Sequence, residues 1–116
     1  MNPRDTLYLQ HILDASETIE RYLISLSEEQ FQQETLYQDA IIRQLEVIGE
    51  AVKQLSEELC SRYPQIPWRS IAGMRDRLIH HYFRVDLNQV WLTATTDIPV
   101  LKQVVSQALH QEPSRE

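Results

Sequence analysis

Three stretches of this chain place apolar residues at alternating steps of four and three, and that spacing limits what it can fold into. The first runs Tyr8, Ile12, Ala15, Ile19, Tyr22 and Leu26; the second Ile41, Leu45, Ile48, Val52, Leu55 and Leu59; the third Leu87, Trp91, Ala94, Ile98, Leu101 and Val105. At about 3.6 residues per turn such steps line one side of a helix with an apolar stripe, and a stripe of that kind must be buried against another helix. Glycine occurs only at Gly49 and Gly73, too rarely for the many turns an all-β chain of this length would need. With 116 residues there is room for one domain and one modest core.

Boundary signals fit the stripes. Asn2 followed by Pro3 can cap and open the first helix. Ser27 with Gln30, and Thr35 with Gln38, each have capping-box spacing, which predicts a short helix between the first two long ones. Two prolines in Tyr63-Pro64-Gln65-Ile66-Pro67 must break the second helix, and Pro67 suits the start of a third running through Trp68 towards Tyr82. Asp86 is a cap for the fourth, and Pro99 inside the last stripe demands a kink or local irregularity. Gly49 in mid-helix costs about 1 kcal/mol relative to alanine and marks a candidate for close helix-helix contact. The expected fold is all-α: an up-and-down bundle of four main helices plus a short one, filling residues 1–110, with 111–116 a frayed tail.

Composition narrows the functional classes. No stretch approaches 18 uncharged apolar residues and the N-terminus has no signal-peptide layout, so the expectation is a soluble cytoplasmic protein with no membrane partner. A single cysteine, Cys60, excludes an intrachain disulfide and a multi-cysteine zinc cluster. The net charge of −6 argues against broad nonspecific nucleic-acid binding. Its distribution is uneven. Four arginines and one acid, Asp76, fall between Arg69 and Arg84, while the remainder carries 7 basic and 16 acidic side chains. A cationic segment on an acidic body suits a focused phosphate site, although a solvated helix face would look the same.

The residues able to carry chemistry cluster in Met74-Arg75-Asp76-Arg77-Leu78-Ile79-His80-His81-Tyr82-Phe83. Arginine offers phosphate a rigid, permanently charged fork, and histidine titrates near neutrality. Together they suffice for RNA cleavage by the RNA's own 2′-hydroxyl, a reaction that needs proton transfer and charge stabilisation and requires no metal or cofactor in principle. Asp76 and His80, four apart, share a face on which the carboxylate could fix an imidazole tautomer. Arg75 and His80, five apart, lie about 140° around a straight helix and cannot easily aim at one phosphate. Either the helix ends or bends near His80, or two copies of the motif meet across a dimer; both point to a helix-end site in a homodimeric cleft. The plainer alternatives are that Arg75 and Arg77 bridge to acids on neighbouring helices and that Tyr82 is a core aromatic. His80 and His81 point about 100° apart and make a poor metal pair. His11 and Cys60 have no identifiable partners, and no nucleophilic triad, phosphate-cradling glycine loop or zinc spacing is present.

Arg75-x4-His80-x-Tyr82, with a polar residue after the arginine, resembles the signature of HEPN ribonucleases of the HepT group. Residues 41–59 resemble the family's second long helix, and residues 64–92 its proline-tryptophan entry, motif helix and following Val-Asp-Leu link, so the resemblance covers nearly the whole chain. Two departures are visible. Asp76 stands where many relatives have asparagine and competes for the charge of Arg75, and His81 replaces what is often a small residue. The resemblance implies a dimeric helical bundle acting as a metal-independent endoribonuclease, with tRNA the favoured substrate. Arg75 would bind the scissile phosphate, His80 would act as acid or base, and Asp76 would orient one of them. It further implies the toxin of a type II/VII-like toxin–antitoxin pair, silenced by a minimal nucleotidyltransferase antitoxin that transfers AMP to Tyr82. The rival expectation is a non-catalytic helical subunit that holds a nucleotide or substrate for a nucleotidyltransferase.

Overall fold

The stripes become helices whose apolar sides face one another. The computed structural model describes residues 1–80 and 85–111, the side chains of Ile79 and His80 excepted. Its helices are α1 (Pro3–Leu23), α2 (Glu28–Gln33), α3 (Thr35–Lys53), α4 (Glu57–Arg62), α5 (Trp68–His80), α6 (Leu87–Leu92) and α7 (Ile98–Gln111), with a π-helical segment, Thr93–Asp97, joining the last two. Among the described residues there is no strand, and no helix is long and apolar enough to cross a membrane. The chain is an all-α bundle, as its spacing predicts.

Each stripe supplies the core. Ile12, Ile19, Ile41, Leu45, Ile48, Leu101 and Val105 are almost wholly withdrawn from solvent, each such side chain contributing about 1.5–3 kcal/mol through burial. Helix α3 lies between α1 and α5, and α7 covers another side of α1. Contacts between ends set the directions. Arg4 at the start of α1 donates to Gln54 just beyond α3, and Lys102 near the start of α7 pairs with Glu20 near the end of α1 at 2.9 Å. Helices α3 and α7 therefore both run antiparallel to α1, as in an up-and-down bundle.

Local chemistry explains most boundaries. Asn2 Oδ1 accepts from the Asp5 backbone N–H at 2.7 Å and Pro3 occupies the first turn. Ser27 and Gln30 close a reciprocal capping box on α2, and Asp86 accepts from the backbone of Asn88 and Gln89. The irregularity expected near Pro99 is the π-helical segment. Ile98 donates back to the Thr93 carbonyl, five residues away, immediately before the one residue of that turn without an N–H.

Two boundary expectations are corrected. Thr35 does not close a capping box. Glu34 is the N-cap residue of α3 and makes no side-chain cap, because the Gln38 amide instead donates to the carbonyls of Phe31 and Gln32, at 2.9 and 3.1 Å. Nor does the second stripe form one helix. Helix α3 stops at Lys53, and Ser56 caps a separate short helix through the Leu59 backbone N–H. The cause is tertiary. Buried Asp5 of α1 accepts from the Ser56 backbone N–H at 2.8 Å and from its hydroxyl at 2.6 Å, fixing Ser56 in the extended conformation that a cap needs.

Candidate active site

Helix α5 carries the motif, and its start is pinned locally. The Trp68 indole N–H donates to the Tyr63 carbonyl at 2.9 Å, and the Ile71 N–H reaches the Pro67 carbonyl at 3.0 Å, so the proline turn is tied to the first turn of the helix. Met74 is buried while Ile71 and Leu78 pack against the core cluster. That apolar side holds α5 on α3.

These helices come into close contact at Gly49. A Cβ placed there would lie 3.0 Å from Arg75 Cβ and 3.1 Å from both the Arg75 nitrogen and the Ile71 carbonyl oxygen. The mid-helix glycine thus marks close helix-helix contact, and the residue it lets in is Arg75. No methyl fits that space without moving the motif helix.

Around this contact lies a small ionic cluster that the sequence does not announce. Arg75 Nε pairs with Glu50 Oε2 at 3.0 Å, and its Nη1 donates to Asp76 Oδ1 at 3.4 Å. Lys53 Nζ donates to both Asp76 oxygens, at 2.9 and 3.1 Å. All four side chains are partly exposed, Arg75 at 37%. Glu50 and Lys53 lie beside Gly49 on α3, yet nothing in their spacing says that they face Arg75. Only the Gly49 contact could have hinted at it. The bridging of arginine to acids on neighbouring helices is real for Arg75. Among the described residues it does not hold for Arg77, which folds back along its own helix to donate to the Ser70 carbonyl at 3.2 Å.

A flank of α5 that carries Arg77 borders open space. Two hollows of about 310 and 290 Å³ share Met74, Arg77, Gln89 and Thr93 in their walls, where α5 faces α6 and the π-helical segment. Arg75 lines neither.

Of the residues singled out by sequence, the structure therefore brings Arg75 and Asp76 together with each other and with α3. Helix α5 remains α-helical from Arg75 through His80, which keeps the two about 140° apart within one chain. The side chain of His80, and all of His81 and Tyr82, lie outside the described residues. Among the described residues no three histidine, cysteine or acidic side chains converge on a common point suited to a metal ion. His11 meets Tyr8 edge-on, ring centres 5.4 Å apart. Cys60 is half-buried, and its thiol is pushed up from its ordinary 9.0 by burial and then by the nearby charges of Asp5 and Glu57.

Comparison with known proteins gives one consistent answer. Residues 12–108 match the family model described as "Ribonuclease HepT-like". The chain is 45% identical over 95 residues to a protein of Thermococcus cleftensis named "Probable ribonuclease HepT", covering 82% of this chain and 86% of that one. It is 41% identical over 105 residues to a protein of Caldanaerobacter subterraneus subsp. tengcongensis named "Putative RNase", covering 90% and 94%. A Methanocaldococcus jannaschii protein named "Gamma-glutamylcyclotransferase and putative RNase" is 43% identical over 105 residues, or 90% of this chain, but the chain spans only 47% of that protein's length. No solved structure matches.

Proposed function

The chain belongs to the HepT-like ribonuclease family, and from that premise we propose that it is an endoribonuclease that cuts RNA without a metal ion, with Arg75 and His80 as its catalytic residues. The observation that carries this reading is the placement of Arg75. Its guanidinium is held at the edge of the α3–α5 contact, charged and partly open to solvent, on the helix that also bears His80.

In the reaction the 2′-hydroxyl of the nucleotide before the cut gives up its proton and attacks the adjacent phosphorus. The bond to the 5′-oxygen breaks, and that oxygen takes up a proton. The products are a 2′,3′-cyclic phosphate and a 5′-hydroxyl. Arg75 stabilises the extra charge on the pentacoordinate phosphate. His80 removes or delivers a proton near neutral pH, and Asp76 is the supporting carboxylate. Because Arg75 and His80 of one chain diverge around α5, two chains supply one site, and the working unit is a homodimer with both motifs in a shared cleft.

By family likeness the RNA is tRNA, and the protein acts as a toxin held in check by a minimal nucleotidyltransferase that transfers AMP to Tyr82. An adenylylated tyrosine would add bulk and a phosphodiester charge that competes for Arg75. The ion pairs of Arg75 with Glu50 and Asp76 favour one rival: a non-catalytic subunit whose arginine organises the helices or a bound nucleotide.

The deciding experiment is cleavage of bulk tRNA by the purified chain in EDTA, beside His80→Ala. Cutting by the parent alone supports the enzyme reading. No cutting by an unmodified dimer, its mass excluding added AMP, transfers the case to the rival. Co-expression with the nucleotidyltransferase should add AMP mass that Tyr82→Phe abolishes, and a one-chain mass at micromolar concentration would sink the shared cleft.

A further inference from the structure

An acid immediately after the phosphate-binding arginine poses a problem for the proposed site. Asp76 touches Arg75 Nη1, and an uncompensated carboxylate there would occupy the charge that RNA needs. We propose that Lys53 and Glu50 of α3 are positioning residues that keep Arg75 available to RNA phosphate: Lys53 draws off Asp76, and Glu50 fixes the guanidinium by its Nε side. The inference rests on the reading of Arg75 as the phosphate-binding residue.

The distances state the preference. Lys53 takes both oxygens of Asp76 at 2.9 and 3.1 Å, whereas Arg75 holds one of them at 3.4 Å, beyond the usual range for a charge-assisted bond. Between these two described partners, Asp76 thus lies closer to Lys53 than to Arg75. Glu50 meets Arg75 at Nε, 3.0 Å away, so the strong contact to protein falls on the side of the guanidinium and its Nη end is only weakly engaged by Asp76. A phosphate that approaches this end displaces one long hydrogen bond rather than a tight ion pair. The four side chains sum to zero charge, so RNA binding at Arg75 need not expel an uncompensated carboxylate. Gly49 completes the device by letting α5 come close enough for α3 to reach both residues.

The test reads binding and cleavage separately. Affinity for a single-stranded 2′-O-methyl RNA oligonucleotide, which lacks the attacking hydroxyl, is measured by fluorescence anisotropy, with Arg75→Ala as control. Lys53→Ala should weaken binding about fivefold, as expected for redirecting one partly exposed charge, raising KM rather than lowering kcat. Lys53→Arg should retain parental affinity. Asp76→Asn should restore affinity in the Lys53→Ala background by more than it raises affinity in the parent, the coupling that independent sites would lack. Unchanged melting temperatures across the series would separate positioning from folding. Additive effects, or a Lys53→Ala variant that binds like the parent, would overturn the proposal, and so would a parent whose binding does not depend on Arg75. A parent that binds through Arg75 but cuts no RNA would leave this arrangement standing and remove only the ribonuclease reading.

Discussion

Arg75 and Arg77 stand two residues apart on one helix and live in opposite surroundings. Towards α3, Gly49 removes the space a side chain would fill and Arg75 is caught between Glu50 and Asp76. Towards α6 and the π-helical segment, α5 borders open hollows, and Arg77 bonds only to a carbonyl of its own helix among the described residues. A rotation of about 200° between them accounts for the contrast. The comparison teaches that a locally cationic sequence says little about which cation is organised. The partner helix decides, and it chooses through the one residue on its face without a side chain.

The largest effects should separate the two arginines. Arg75→Ala should lower kcat/KM for tRNA cleavage by about 10²–10³, the usual cost of losing one preorganised charge-stabilising donor, whereas Arg77→Ala should change it less than about threefold. Initial rates under the same EDTA conditions decide the matter, and equal losses would erase the distinction between the faces.

The two glycines make a parallel pair. Gly49→Ala forces its methyl against backbone and Cβ atoms at 3.0–3.1 Å, an overpacking that costs about 1–3 kcal/mol and outweighs the helix propensity gained. Among the described residues Gly73→Ala meets only Arg77 Nη1, at 3.2 Å, the far end of a side chain able to move, and should gain about 0.5–1 kcal/mol. With about 4 °C expected per kcal/mol for a domain of this size, thermal unfolding should show shifts of opposite sign. A stabilised Gly49→Ala would mean that the α3–α5 contact is softer than its geometry indicates.

Cys60, on α4 rather than on either face of α5, can report how far each change opens the fold. Its raised pKa keeps the thiol protonated and slow to alkylate near pH 7.5. Iodoacetamide should therefore modify it more slowly than a free cysteine, faster in Gly49→Ala, and no faster than parent in Gly73→Ala. The sign for stability follows from the same shift. A folded pKa above the unfolded one contributes stability that is complete below the unfolded value of 9.0 and is lost as pH rises through the folded one, so this contribution should begin to fall only in the alkaline range.

The smallest effect concerns the ion pairs. Lys53–Asp76 and Arg75–Glu50 are partly exposed, so raising salt from low to about 0.5 M should move the melting temperature by no more than about 2 °C. A larger fall would give these pairs a structural weight that the rival reading of Arg75 requires.

What could be read before any tertiary structure was whatever depends on neighbours along the chain. The four-and-three spacing of Ile41, Leu45, Ile48 and Val52 dictates a buried helix face because the period of a helix is a property of the backbone. The Asn2, Ser27 and Asp86 caps, and the disturbance before Pro99, follow in the same way from one residue's side chain or missing N–H. The arginine and histidine of the motif were legible as a chemical pair, and so was the difficulty of aiming them together from one helix. What only the tertiary structure decided involves atoms far apart in sequence. Asp5 reaches Ser56 and splits a stripe that looked continuous. The amide of Gln38 is taken by carbonyls of the preceding helix, so Thr35 caps nothing. Gly49 admits Arg75, and Glu50 and Lys53 then settle which of its charges is engaged. Short-range rules cannot foresee such contacts, because their partners are chosen by how whole helices pack and each pairing is worth too little to impose a pattern on the sequence.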